Sequence, residues 1–158
     1  MKTIDFSFDN VGGIAALYLL PVADVRRVDA NPTTGRVVPV LRSRANIHKV
    51  EVFDGDAFRF TEEMSLDDGG ASFAVAISGV IPRLDALPSV AVLEQGAWMA
   101  VHQDANGSIL LTGSPDVPLR FVTQKQTGSR TQRNGVVFTL QAMEPEASLV
   151  CEGSAIAD

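Results

Sequence analysis

Between Ala71 and Ser78 apolar and small residues alternate strictly. Ala71, Phe73, Val75 and Ile77 fall on one side, Ser72, Ala74, Ala76 and Ser78 on the other. A period of two belongs to a strand. The second side holds only small residues, which predicts that something packs closely over that face too. Pro82 ends the run. A second strand is expected near Ile14 to Leu20, turned at Pro21. Val37 to Val40 is β-prone but contains Pro39, so it reads as an edge or a bulge. Asn46 to Phe53 alternates imperfectly through Ile47, Val50 and Val52. Trp98 to Gln103 and Ser108 to Thr112 flank Asp104-Ala105-Asn106-Gly107, a hairpin in which Gly107 supplies positive φ. Val136 to Ala142 is the last clear strand. Leu84 to Glu94 is the best helix candidate, and Pro88 limits it to a turn or two. The pattern predicts a mainly β protein, an antiparallel sandwich or barrel with at most one or two short helices.

Two stretches share an apolar frame. With Gly70 set on Gly135, Gly-Ala-Ser-Phe-Ala-Val meets Gly-Val-Val-Phe-Thr-Leu, and Phe73 falls on Phe138. Upstream, Phe58-Arg59-Phe60 meets Leu119-Arg120-Phe121 if the second connector is longer. This suggests one domain over 1–158 with two pseudo-repeated β halves, 11–82 and 83–145, and a loose tail over 146–158. Coincidence is an equal reading, since β proteins reuse Phe and Gly in strand and turn.

The connectors of the two stretches oppose each other in charge. Thr61 to Gly70 carries Glu62, Glu63, Asp67 and Asp68 and no base. Val122 to Gly135 carries Lys125, Arg130 and Arg133 and no acid. Read as solvated loops, they need do no more than keep the protein soluble. Read as complementary arms, an acidic arm on one subunit meets a basic arm on the next. That contact is heterologous and closes into a ring or extends into a tube. Arg26 to Lys49 is a further basic stretch, with Arg26, Arg27, Arg36, Arg42, Arg44 and Lys49. It contains no Phe, Tyr or Trp for base stacking, so nucleic acid is not the expected partner.

At 158 residues the chain is long enough to bury a core without a disulfide or metal. Its net charge of −6 argues against a nucleic-acid coat. The single Cys151 fits a reducing compartment. Met1 to Asn10 has no signal-peptide core, and Val11 to Val22 is too short and too broken to span a bilayer. No phosphate loop, nucleophile elbow or zinc spacing is present. His102, on the face of Trp98 and Ala100, reads as structural, and Trp98 as core. Asp54-Gly55-Asp56 and Asp67-Asp68 read as turns rather than calcium loops. No catalytic residue, metal ligand or cofactor-binding residue is assigned.

Some segments resemble a family. Gly12-Gly13-Ile14, the run from Gly113 through Pro118-Leu119 to Phe121, Thr127-Gly128, and Asn134-Gly135 ahead of a strand look like small tail-associated proteins in prophages of Bacteroides-type bacteria. The resemblance spans about two thirds of the chain, through short motifs. It implies a structural role in a virion and brings no active-site residues.

The sequence therefore predicts a non-enzymatic assembly subunit of a phage-like particle, in the tail or neck. It would bind itself or other particle proteins, first in the cytoplasm and then in the particle. Glu62, Glu63, Asp67, Asp68, Lys125, Arg130 and Arg133 are the candidate contacts. The alternative is a small-molecule or carbohydrate-binding β module, built on a pocket of Trp98, Tyr18 and Phe residues. An enzyme would need a buried cluster of His48 or His102 with a carboxylate.

Overall fold

A computed structural model of the chain describes residues 12–52, 58–82, 87–126 and 135–153. The fold is mainly β, with antiparallel pairing between its named strands and no closed barrel. Eleven strands are described: β1 Ile14–Pro21, β2 Val25–Ala30, β3 Val37–Leu41, β4 His48–Val50, β5 Arg59–Asp67, β6 Gly70–Pro82, β7 Trp98–Asp104, β8 Ile109–Thr112, β9 Arg120–Gln126, β10 Gly135–Glu144 and β11 Leu149–Val150. One α-helix, α1, covers Leu87–Gln95, and Pro88 lies in its first turn, where a missing N–H costs little.

The strands form three layers. A four-stranded sheet, β5-β6-β10-β9, covers one face of a five-stranded sheet, β11-β8-β7-β1-β4. The ribbon β2-β3 covers the other face. The main core lies between the two larger sheets. It joins Leu17 and Leu19 of β1, Trp98 and Ala100 of β7, Val75 and Ile77 of β6, and Phe138 and Leu140 of β10. The second core joins the opposite faces of the same central strands, Leu20, Met99 and Val101, to Val25, Val37 and Cys151. This is why Trp98 to His102 is an unbroken buried run rather than an alternating one. On β1 the register slips between Ile14 and Ala16. That bulge lets Ile14 share the core face of Leu17 at an odd spacing.

Close approach dictates two glycines. A Cβ on Gly79 would lie 2.7 Å from the Phe58 ring and 2.8 Å from that of Phe138. A Cβ on Gly96 would lie 2.4 Å from the Trp98 indole. That indole donates Nε1–H to the Leu93 carbonyl at 2.8 Å, which fastens the end of α1 to the core.

Three expectations change. The small-residue face of β6 has no described element over it. Ala74 and Ala76 instead floor a shallow groove of about 490 Å³, between Thr61 and Glu63 on one side and Gln141 and Met143 on the other. The stretch expected as a loose tail is partly built in: Leu149 pairs with Leu111, and Cys151 is buried beside Val37. Finally, Thr61 to Asp67 is strand rather than loop.

The strand order has an internal symmetry. Exchanging β1 with β7, β4 with β8, β5 with β9 and β6 with β10 turns β8-β7-β1-β4 and β5-β6-β10-β9 each into its own reverse. The expected duplication is a statement about descent, which strand order does not decide.

Candidate assembly surface

The acidic segment is the edge strand of the four-stranded sheet. β5 bonds along its length to β6, from Arg59 opposite Ser78 to Asp67 opposite Gly70. Asp68 and Gly69 make the turn; Asp67 Oδ1 accepts the Gly69 N–H at 2.8 Å, and Gly70 takes φ +116. Two-residue hairpins of this kind favour Asp and Gly. Alternation puts Phe60, Glu62, Met64 and Leu66 on the face of Ile77, Val75, Phe73 and Ala71. On β6 that face is core at Val75 and Ile77; on β5 only Phe60 packs against the core. Every residue from Thr61 to Gly70 is exposed, Met64 to 57% and Leu66 to 73%. The hairpin thus runs out past the layer beneath it. Glu62, Glu63 and Asp67 ride on this strand and Asp68 on its turn.

The basic segment supplies the opposite edge. β9 bonds to β10, from Arg120 opposite Gln141 to Gln126 opposite Gly135. Arg120 and Val122 are exposed, while Phe121 between them is buried. Lys125 belongs to this strand. Arg130 and Arg133 lie outside the described residues. The sequence pattern predicts two loops; the described parts are two strands, at the two ends of one sheet. Arg120, just outside the basic connector that starts at Val122, stands in the same strand as Lys125 and adds a base to this edge.

Beneath the start of β5 the space between the sheets is polar. His102 is 2% exposed, and its ring lies 4.5 Å from that of Phe60. Its Nε2 is 3.2 Å from Thr112 Oγ1, which is 2.9 Å from Ser148 Oγ. Burial pushes the imidazole down to about 4, against the upward pull of Asp104 and Glu62. It is therefore neutral at pH 7. Glu144, also buried, accepts the Gly113 N–H at 2.9 Å, and desolvation raises its pKa. Glu62 Oε2 accepts the Ser148 N–H at 2.7 Å. A buried histidine near carboxylates is the cluster an enzyme would need. Here Thr112 Oγ1 lies within hydrogen-bond reach of its Nε2.

Other expectations resolve locally. Trp98 is core, and Tyr18 lies with the second core on the opposite face of the five-stranded sheet. The two do not share a pocket. A cleft of about 370 Å³ is lined by His48, Val50, Ile81 and Leu93. Cys151 is buried and its thiol is pushed up to about 11 by burial, which makes it a poor nucleophile. Asp54-Gly55-Asp56 lies outside the described residues. Among the described residues, no three His, Cys, Asp or Glu side chains cluster to hold a metal, and no helix is long and apolar enough to cross a membrane. In the basic stretch Arg26 to Lys49, Arg27 pairs with Asp29 at 2.7 Å.

No family model matches the chain, and no curated protein or solved structure matches it.

Proposed function

We propose that the protein is a non-enzymatic assembly subunit that works by joining protein chains. One observation carries this: β5 is a nine-residue edge strand whose core-type face shows Met64 and Leu66 to solvent. Edge strands are ordinarily shortened, covered or blunted, because an open ladder recruits other strands. This one is long. Its acids keep it soluble, yet its apolar residues remain. Apolar residues held out on a strand support a contact made with protein. The resemblance to prophage tail-associated proteins supplies the setting, a phage-like particle.

Sedimentation or light scattering of the full chain at low and high salt tests the reading. The expected result is a species larger than the monomer that dissociates as salt screens the charges. Met64→Ser with Leu66→Ser should weaken it. A monomer at every concentration and salt, with no partner co-purifying, overturns it. Tail or baseplate genes flanking its gene would support the setting; flanking metabolic genes would count against it.

A further inference from the structure

The geometry points to β9 of a second copy of this chain as the occupant of the β5 edge, making one sheet continuous across subunits. This rests on the assembly reading above and adds the partner, the direction and the register.

Direction follows from the sheet. β5 is antiparallel to β6, β6 to β10, and β10 to β9. After three reversals the two edge strands run in opposite directions. A copy placed alongside, the same way up, sets its β5 antiparallel to β9 of the first. The new pair continues the alternation, and the core faces stay on one side.

Charge selects this contact over the twofold alternatives. β5 carries Glu62, Glu63 and Asp67 against Arg59, and β9 carries Arg120 and Lys125 with no acid. Pairing β5 with β5 brings acids together, and pairing β9 with β9 brings bases together. Like charges directly opposite on neighbouring strands are destabilising, and opposite charges are favourable. Pairing β5 with β9 brings acids to bases.

Spacing fixes the register. Glu62 precedes Asp67 by the same interval as Arg120 precedes Lys125. An antiparallel pairing with Asp67 opposite Arg120 therefore places Glu62 opposite Lys125. The same register sets Leu66 opposite Phe121 on the core-type face and Ser65 opposite Val122 on the outer face. The exposed apolar residues of β5 come to lie beside the core-facing positions of β9. Helix α1 meets β9, where Thr123 donates to Glu94, and Leu119, just before β9, exchanges both backbone bonds with Trp98, so the open stretch of the edge begins at Arg120; Arg120 and Val122 are exposed. A head-to-tail contact of this kind yields a ring where the rotation closes and a filament where it does not.

Two single variants, Ser65→Cys and Val122→Cys, test the pairing by oxidative cross-linking. Buried Cys151 stays out of the reaction. Mixed, they should give a covalent dimer, and each alone should give little. A chain carrying both should give a ladder. Asp67→Arg and Arg120→Asp, each alone, should weaken association about tenfold, the effect of turning one attraction into repulsion at each contact. Mixing them should restore it. If salt-sensitive assembly persists while the mixture fails to cross-link, or Ser65→Cys cross-links alone, the strand pairing is wrong and the assembly reading stands. If no assembly forms at any salt, both fall.

Discussion

Hairpins β5–β6 and β9–β10 flank the centre of the same sheet, yet their matching aromatic residues are buried to different depths. Phe121 stacks on Phe138 at 5.0 Å, and both are buried. Their counterparts in the sequence alignment, Phe60 and Phe73, are only partly buried. The difference lies underneath. β9 and β10 face the apolar cluster of Leu17, Leu19, Trp98 and Leu119. Phe60 meets His102, and Glu62 reaches Ser148. One apolar frame thus serves as core or as surface according to the layer opposite. Where the layer runs out, β5 is free to carry acids.

The largest expected effect separates the aligned phenylalanines. Phe138→Ala should cost about 3–5 kcal/mol, the range for emptying a packed aromatic site. Phe138 is fully buried, between Phe58 at 5.8 Å and Phe121. Phe73→Ala should cost less than half as much, because Phe73 already meets solvent on the exposed hairpin. Urea unfolding of the two variants measures the ratio. Equal losses would mean that the two hairpins are buried alike, and the comparison would fail.

Much of this frame was legible in the sequence because alternation and turn chemistry agree there. β6 shows strict period two, and β7–β8 is closed at Gly107 with φ +90. There Asp104 Oδ1 accepts the N–H groups of Asn106 and Ser108. β5 was not legible. Glu and Asp are poor strand formers, so a strand held by pairing with β6 reads as a solvated loop. The doubly buried β7 showed no alternation to mark its two faces. The bulge after Ile14 and the return of Leu149 to Cys151 depend on distant partners and leave no local signal. The charge contrast between the two stretches was visible; that they form opposite edges of one sheet was not.

The polar floor under β5 should make stability depend on pH through His102. Its folded pKa of about 4 lies below the ordinary 6.5. Above 6.5 the ring is neutral whether folded or unfolded, and its burial is tolerated. As pH falls through 6.5 the unfolded chain takes up the proton first, and stability drains away until about 4. The loss reaches about 3 kcal/mol, at roughly 1.4 kcal/mol per unit. Denaturant unfolding between pH 7 and 4 reads it, and His102→Gln should flatten that component of the slope. An unchanged slope in the variant would place the titration elsewhere.

Glu144 sits on the same floor with the opposite sign. Burial holds its pKa above the ordinary carboxylate value, although the Gly113 N–H pulls the other way. Its contribution is whole below the unfolded pKa and is lost as pH rises through the folded one. Glu144→Gln keeps an acceptor for Gly113 and removes the buried charge. It should stabilise the fold at pH 7 by less than about 1 kcal/mol and lose that advantage in acid. A destabilised variant at pH 7 would show that the carboxylate is held as a charge, and that this floor is polar by pairing rather than by tolerance.

The smallest effect on the fold is expected on β5 itself. Met64→Ser with Leu66→Ser changes two residues that are 57% and 73% exposed. Surface changes of this kind usually fall within about 0.5 kcal/mol of neutral. The unfolding midpoint should therefore stay put in dilute solution, where the chain is alone. At concentrations that favour assembly the same variant should fall behind the parent, because only the parent gains stability by mass action from a bound neighbour. Unfolding at two protein concentrations reads both statements at once. A large loss in the dilute sample would mean that Met64 and Leu66 are packed into the core rather than held out in solvent. No difference at either concentration would leave their exposure without a partner to explain it.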